Sequence, residues 1–293
     1  MLDFQKFTWQ DKDRYSQYFQ ASPVHHAEYS FFILWAWLHS YPLEIAYTEN
    51  LCWFRSSGPM LGMFGPAGNW NAVTDWDKEL SCFKSGDVIY EVPAQVKELL
   101  DGRPNLRFTN DRDQAEYVYS VKDLIALKGK AFAHKRNRVR AFLDGYEWDY
   151  EELTPELFCE VMDFQERWRI HREGTMTQEE AESLDAEDQA IRNALEKWNM
   201  FYFSGGLLRV DGNIIAYTLA QELDPQNIDI MFEKAFPEYA GSYQAINYMF
   251  LKNYGHKYEY VNREEDMGEP GLREAKESYN PIMMLEKYRM EIL

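Results

Sequence analysis

The sequence predicts an α/β protein made of two copies of one layout, each a mixed sheet flanked by helices. Three observations carry this reading. The 293 residues are enough for one large domain or two of ordinary size. A composition of 45% hydrophobic and 16% aromatic residues is that of a globular chain with a sizeable core. The order of predicted elements also recurs, although the residues do not. Each half reads as helices, a strand hairpin, a further strand, a helix and a strand.

In the first half, Ser22 followed by Pro23 is a helix cap with proline just inside, so a buried aromatic helix is expected from there to about His39. "PLEIAYTENLCWFRSS" reads as two strands around a Glu-Asn turn, and "MLGMFGP" as a third. "TDWDKELSCF" is an amphipathic helix capped by Thr74. "DVIYEVP", "NLRFT" and "AEYVYSV" are strands, with the helix "AQVKELLDG" among them.

In the second half, Thr154 and Pro155 open the helix "TPELFCEVMDFQERWRIH", and a polar helix runs from about Gln178 to Trp198. The strands "MFYFS", "GLLRV" and "IIAYTLAQEL" follow, with a hairpin turn at Asp211-Gly212-Asn213. "NIDIMFEKA" is a strand, "SYQAINYMFLKNYG" a helix capped by Ser242 and closed by Gly255, "KYEYVN" a strand, and "IMMLEKYRMEI" the last strand. The pattern divides the chain into an N-terminal domain (1–127), a basic inter-domain helix (128–145) and a C-terminal domain (146–293) carrying the candidate site.

The net charge is 31 − 49 = −18, which argues against broad binding to nucleic acid or anionic membrane but permits a local basic patch. Cys52, Cys82 and Cys159 have no paired spacing, so free buried thiols in a reducing cytoplasm are expected, with no disulfide framework or cysteine-type zinc site. The opening stretch mixes acidic and polar residues and reads as no secretory signal. The longest apolar run, Phe31–Leu38, is far short of the about 20 residues that span a bilayer. A soluble, cytoplasmic protein without a metal site is expected. His25 and His26 are adjacent, and His39, His171 and His256 stand alone; all read as surface or core histidines. The acidic run around Gln178–Trp198 reads as a solvated helix face.

Two stretches concentrate chemistry. "KGKAFAHKRNRVRAF" holds Lys128, Lys130, Lys135, Arg136, Arg138 and Arg140 with no acid. As a helix over Ala131–Phe142 it has an apolar face at Phe132, Val139 and Phe142, while Arg136 and Arg140, four apart, share another. Such a helix suits a polyanion, whether a tRNA backbone, coenzyme A phosphates or a lipid head group; a helix neutralising nearby acids fits equally. "YVNREEDMGEPGLREAKESYNP" places Asn262, Arg263, Glu264, Glu265 and Asp266 directly after a strand, where ligands gather in α/β sheets. Gly268, Pro270 and Gly271 make a shaped turn, and a short helix then presents Arg273 and Lys276 before Tyr279 and Pro281. Carboxylates suit an ammonium and arginine suits a carboxylate or phosphate; a surface ion-pair network is the other reading. A third stretch, "FPEYAGSYQAIN", is a strand–helix corner of the kind that holds a cofactor pyrophosphate at Gly241 and Ser242. Glu238 would repel such an anion, and an ordinary turn fits the same residues.

The late motif together with the basic one resembles a bacterial family of uncharacterised proteins related to the C-terminal catalytic domain of phosphatidylglycerol lysyltransferases. That resemblance implies two tandem GNAT-like (acyl-CoA N-acyltransferase-like) domains, a fold shared with Fem-type peptidoglycan aminoacyltransferases. The matching motif residues are His134, Lys135, Arg136 and Asn137, then Asn262, Glu264, Asp266, Gly271, Leu272, Arg273, Lys276, Tyr279 and Pro281. Relatives move an amino acid from aminoacyl-tRNA to a lipid or peptide amine or hydroxyl. Because no membrane-spanning half is present in this sequence, a lipid acceptor is not expected.

The expected chemistry is attack by an amine on an activated carbonyl, which needs positioning, oxyanion stabilisation and a base. Glu264 or Asp266 would hold or deprotonate the ammonium, and Tyr279 would protonate the leaving group. Asn262, Arg263, Arg273 and Lys276 would bind substrate. His134, Lys135, Arg136, Asn137, Gly241 and Ser242 would grip donor phosphates, so both motifs are expected to face one hollow. The donor is aminoacyl-tRNA or acyl-CoA, with no tightly bound cofactor, and the acceptor is a small-molecule or peptide amine, with tRNA at the local basic patch. An acetyl-CoA-dependent N-acetyltransferase and a non-catalytic amino-acid- or metabolite-binding protein remain open.

Overall fold

The structure, a computed structural model, describes residues 2–56, 62–173 and 177–293. Contacts divide the chain into two units. Unit 1 is Met1–Glu116 with Glu265–Pro270 and Met284–Leu293; unit 2 is Tyr117–Glu264 with Gly271–Met283.

Unit 1 opens with β1 (Gln5–Lys6), α1 (Lys12–Ala21) and α2 (Phe31–Ala36). The helix expected from Ser22 starts later. Pro23–His26 carries no regular helix, a 3-10 turn spans Ala27–Tyr29, and the Ser30 hydroxyl caps α2 by accepting from Ile33 N. Phe31, Phe32 and Leu34 are buried as the aromatic density implied. The hairpin β2 (Leu43–Tyr47) and β3 (Leu51–Ser56) is followed by β4 (Gly62–Gly68); Met60 and Leu61 of the expected third strand lie outside the described residues. Asp75, not Thr74, caps α3 (Trp76–Leu80), because its carboxylate accepts from Lys78 N. β5 (Val88–Pro93), α4 (Ala94–Leu99) and β6 (Leu106–Asn110) complete the half.

Unit 2 takes β7 (Glu116–Ser120) from Tyr117 onward, α5 (Val121–Ala126) and α6 (Ala133–Gly145), then β8 (Trp148–Glu152), α7 (Phe158–Glu173) and α8 (Gln178–Glu196). "MFYFS" and "GLLRV" fuse into one strand, β9 (Phe203–Val210), paired antiparallel with β10 (Asn213–Asp224). Asp211 and Gly212 both have positive φ, as the two-residue primed hairpin turn requires. β11 (Asn227–Ala235), α9 (Ser242–Asn253), β12 (Tyr260–Asn262) and α10 (Pro270–Glu277) follow.

The expected last strand is two: β13 (Met283–Leu285) and β14 (Lys287–Ile292), in different sheets. The apolar run Ile282–Leu285 gives way at Glu286-Lys287 to the alternating stretch Tyr288–Ile292, and it is at Glu286 that the chain changes sheets. The sheets have order β1-β2-β3-β4-β5-β14-β6 and β13-β7-β12-β11-β10-β9-β8. The last strand of the chain thus lies inside the first unit's sheet, and β7, from the first half, lies inside the second. The basic helix α6 belongs to unit 2. The thiols are free, but only Cys52 is buried; Cys82 is half-buried and Cys159 exposed, correcting the expectation for all three.

Unit 1 buries a charge cluster. Lys287, fully buried, sets its ammonium against Glu28 and 3.1 Å from Glu116 Oε1, and His26 Nδ1 lies 3.3 Å from the same oxygen. Glu116 Oε2 accepts from Ala27 N at 3.0 Å. Burial pushes the Glu116 carboxyl up, but the Lys287 ammonium and His26 outweigh it and hold it well below the usual carboxylate range. Burial drives Glu91 up to about 7, against the pull of Lys287. Removing one partner of such a pair strands a buried charge. Lys287→Met is therefore expected to lower stability by about 3–5 kcal/mol in chemical denaturation; a change below about 1 kcal/mol would show the cluster to be hydrated and unimportant.

Candidate functional site

In unit 2, β11 and β12 run parallel and pair only over Asn227–Asp229 against Tyr260–Asn262. β12 stops there while β11 continues to Ala235, which leaves a splay beside the later residues of β11. Charged and phenolic side chains fill it. Arg263 Nη2 donates to Glu233 Oε1 at 2.9 Å, and Asn247 Nδ2 from α9 donates to Glu233 Oε2 at 3.0 Å. The Arg263 guanidinium lies 4.7 Å from the Tyr279 ring centroid and 5.9 Å from that of Tyr119. Lys135, from the first turn of α6, rests its ammonium 3.8 Å from the other end of the contact, the same Tyr279 ring.

The loop that presents Arg263 is pinned by its own backbone. Arg263 N donates to Tyr117 O, and Glu264 O accepts from Tyr117 N. The buried Asn262 side chain accepts from Glu264 N at 2.8 Å, in a turn that gives Glu264 a positive φ. Lys276 Nζ donates to Arg263 O at 2.6 Å, and Tyr119 Oη donates to Lys276 O at 2.9 Å. Lys276 therefore braces the loop.

Electrostatics single out two groups. Burial pulls the Lys135 ammonium down, and the nearby Arg263 adds to the shift while Glu233 partly offsets it, leaving a pKa of about 8. Lys135 is 4% exposed and, among the described residues, has no carboxylate within 4.0 Å. Burial pushes the Tyr279 phenol up to about 12 even though Arg263 pulls the other way, so it keeps its proton at neutral pH. Buried ionisable groups with shifted pKa values beside a strand end make this the candidate site.

The remaining expected residues fall in several places. His134 and Asn137 are exposed on α6. Arg136 turns back to donate to the carbonyls of Leu127 and Gly129, closing the turn before α6. Lys128, Lys130, Arg138 and Arg140 have no carboxylate partner among the described residues. Arg273 is half-buried on α10. Asp266 belongs to unit 1, where it is fully buried; Arg112 Nη1 donates to it at 3.1 Å and Gly268 N at 2.9 Å. Gly241 and Ser242 are buried, and a Cβ on Gly241 would meet the Arg138 carbonyl oxygen at 2.2 Å. Helix α6 thus packs onto that strand–helix corner, and the Ser242 hydroxyl donates to Phe236 O.

Sequence reading missed Glu233, Asn247, Tyr119 and Gln244, which hydrogen-bonds the Tyr279 phenol. An acid at the end of the apolar run in the strand "NIDIMFEKA" was the available signal for Glu233.

Residues 19–291 match the family described as phosphatidylglycerol lysyltransferase, C-terminal. The chain belongs to that family. A conserved protein of unknown function from Bacteroides thetaiotaomicron is 29% identical over the whole of both chains, with a TM-score of 0.85. The C-terminal domain of a candidate lysylphosphatidylglycerol synthetase from Agrobacterium fabrum is 14% identical, over 97% of this chain and 92% of that one, with a TM-score of 0.65. FemX shares the fold at 11% identity, over 100% and 98% of the two chains, with a TM-score of 0.61. An uncharacterised protein of Mycoplasmoides gallisepticum is 24% identical over 180 residues, 60% of this chain and 56% of its own length. The chain thus matches just over half of that relative. The fold is the tandem GNAT-like one, and the family is one of acyltransferases. No helix among the described residues is long and apolar enough to cross a membrane.

The Lys135 shift gives a stability signature. Its folded pKa lies below the unfolded value near 10.5, so the unfolded chain binds more protons between about pH 8 and 10.5, and stability rises with pH across that window. Lys135→Met is expected to be about 1 kcal/mol more stable than wild type at pH 7 and to lose that rise. Parallel slopes for the two proteins from pH 8 to 10.5 would place Lys135 in ordinary solvent.

Proposed function

We propose that the protein transfers an aminoacyl group from aminoacyl-tRNA to an amine acceptor at the splay of unit 2. The observation that carries this reading is a single helix, α6, with two charged surfaces. Its buried Lys135 joins Arg263 and Tyr279, while Arg138 and Arg140 on the same helix, and Lys128 and Lys130 just before it, have no carboxylate partner among the described residues. Unpaired cations in a chain of net charge −18 are suited to a phosphate backbone. They take over the donor-gripping role assigned to Arg136, which is spent on backbone carbonyls.

In the reaction, the acceptor ammonium first loses a proton to a carboxylate, the free amine attacks the ester carbonyl to form the C–N bond, and the nitrogen gives up a second proton, which restores the acid that protonates the leaving oxygen. The tetrahedral oxyanion collapses with loss of the ribose oxygen, which takes a proton. Tyr279, protonated at neutral pH, is the group suited to give it. Of the two carboxylates expected to take up the acceptor ammonium, Glu264 is preferred, since both oxygens of Asp266 already accept hydrogen bonds. The acyl-CoA alternative has less support, because the Gly241 corner is covered by α6.

The test is transfer of labelled amino acid from charged tRNA to a panel of small and peptide amines. Label is expected to reach an amine, and the variant with Lys128, Lys130, Arg138 and Arg140 all changed to alanine should lose about 10- to 100-fold in kcat/KM with a shallower salt dependence. Absence of transfer from any charged tRNA, together with a higher melting temperature in acetyl-CoA, would replace this reading with acetyl transfer.

A further inference from the structure

Two cations and one carboxylate meet at the Tyr279 ring. Lys135 and Arg263 are cationic, and Glu233 is the carboxylate paired with Arg263, so these three side chains sum to +1. Both Glu233 oxygens are already engaged, one by Arg263 and one by Asn247. Lys135 is 4% exposed and makes neither an ion pair nor a hydrogen bond among the described residues. Arg263 Nη1 is also buried without a hydrogen-bond partner. A cation–π contact with Tyr279 offsets only part of what it costs to bury an ammonium. Two buried cationic groups with unused N–H donors lie within 5 Å of one ring centroid, an arrangement suited to an anion.

We propose that Lys135 and Arg263 together seat an oxyanion, a carboxylate or a phosphate, against Tyr279. A planar guanidinium offers a fixed donor edge to such a group, and the ammonium offers a point charge beside it. One monoanion brings the three-residue sum to zero. If the transfer reading above holds, the anion is carried by the acceptor, which is then an amine with a carboxylate or phosphate close to its nitrogen. The anion seat itself does not depend on that reading, and the exposed cations of α6 remain available to the donor.

The test uses the full chain and no donor. Lysines are reductively methylated with 13C, which preserves their charge, and the Lys135 signal is assigned with Lys135→Gln. Inorganic phosphate and acetate are then titrated separately. Bound anion should raise the Lys135 pKa by one unit or more from about 8 and increase the melting temperature. Lys135→Gln should abolish the melting shift and Lys135→Arg keep it. Changing Arg138 and Arg140 to alanine should leave it intact. A response to phosphate alone identifies a phosphate-bearing ligand, and a response to acetate a carboxylate. The proposal is overturned if neither anion moves the Lys135 signal, or if Lys135→Gln retains the full melting shift. Because the readout needs no transfer, a negative transfer assay would not affect it.

Discussion

The ion pair between Arg263 and Glu233, 2.9 Å long, sets the character of the second unit's site. It occupies the place where β12 ends and β11 continues, so it substitutes side-chain contact for the missing ladder hydrogen bonds. Glu233 is held from its other side by Asn247, which fixes the orientation of the pair. Burial alone would disfavour the Arg263 charge, but Glu233 and the phenols of Tyr279 and Tyr119 outweigh that cost and keep it ionised. With Arg263 permanently charged, the nearby Lys135 is shifted down and the Tyr279 phenol is pulled part of the way back from its burial-driven rise. Burial is the larger cause of both shifts, and the pair adjusts each of them.

The loop carrying Arg263 is short of regular structure but not of constraints. Asn262, Lys276 and the backbone of Tyr117 all bind it directly. The polar residues of the late motif thus divide between holding the loop and serving the site. Lys276 and Asn262 do the former, and Arg263 and Tyr279 the latter. The first unit has its own buried centre, in which Lys287 on the returning strand β14 meets Glu116 on β7 and Glu28. Both residues lie on strands that the linear halves do not predict for their sheets.

Much of the fold was legible because hydrophobic period and turn chemistry are local. The Asp211-Gly212 turn, the hairpin of β2 and β3, and the helix before Gly255 follow from such signals. The start of α2 was misread because Ser22-Pro23 satisfies the cap rule, yet Ser30 provides the hydrogen bond. The exchange of β7 and β14 was invisible, since a strand's pattern reports which face is buried and not which neighbour it joins. Of the site, charge type and motif resemblance brought out Lys135, Arg263 and Tyr279. They could not separate Asp266, which is locked by Arg112, from a free acid, nor Arg136 from a phosphate-binding cation. Glu233 escaped because an acid beside Lys234 near the end of a strand reads as an ordinary surface residue until the splay beside it is known.

The dependence of the site on its central pair is open to direct measurement by a double-mutant cycle between Arg263→Met and Glu233→Gln, followed by chemical denaturation. A buried, oriented pair should show a coupling energy of about 1.5–3 kcal/mol. Additivity of the two substitutions within about 0.5 kcal/mol would mean that the pair does not close the splay, and the account of the site built on it would not stand.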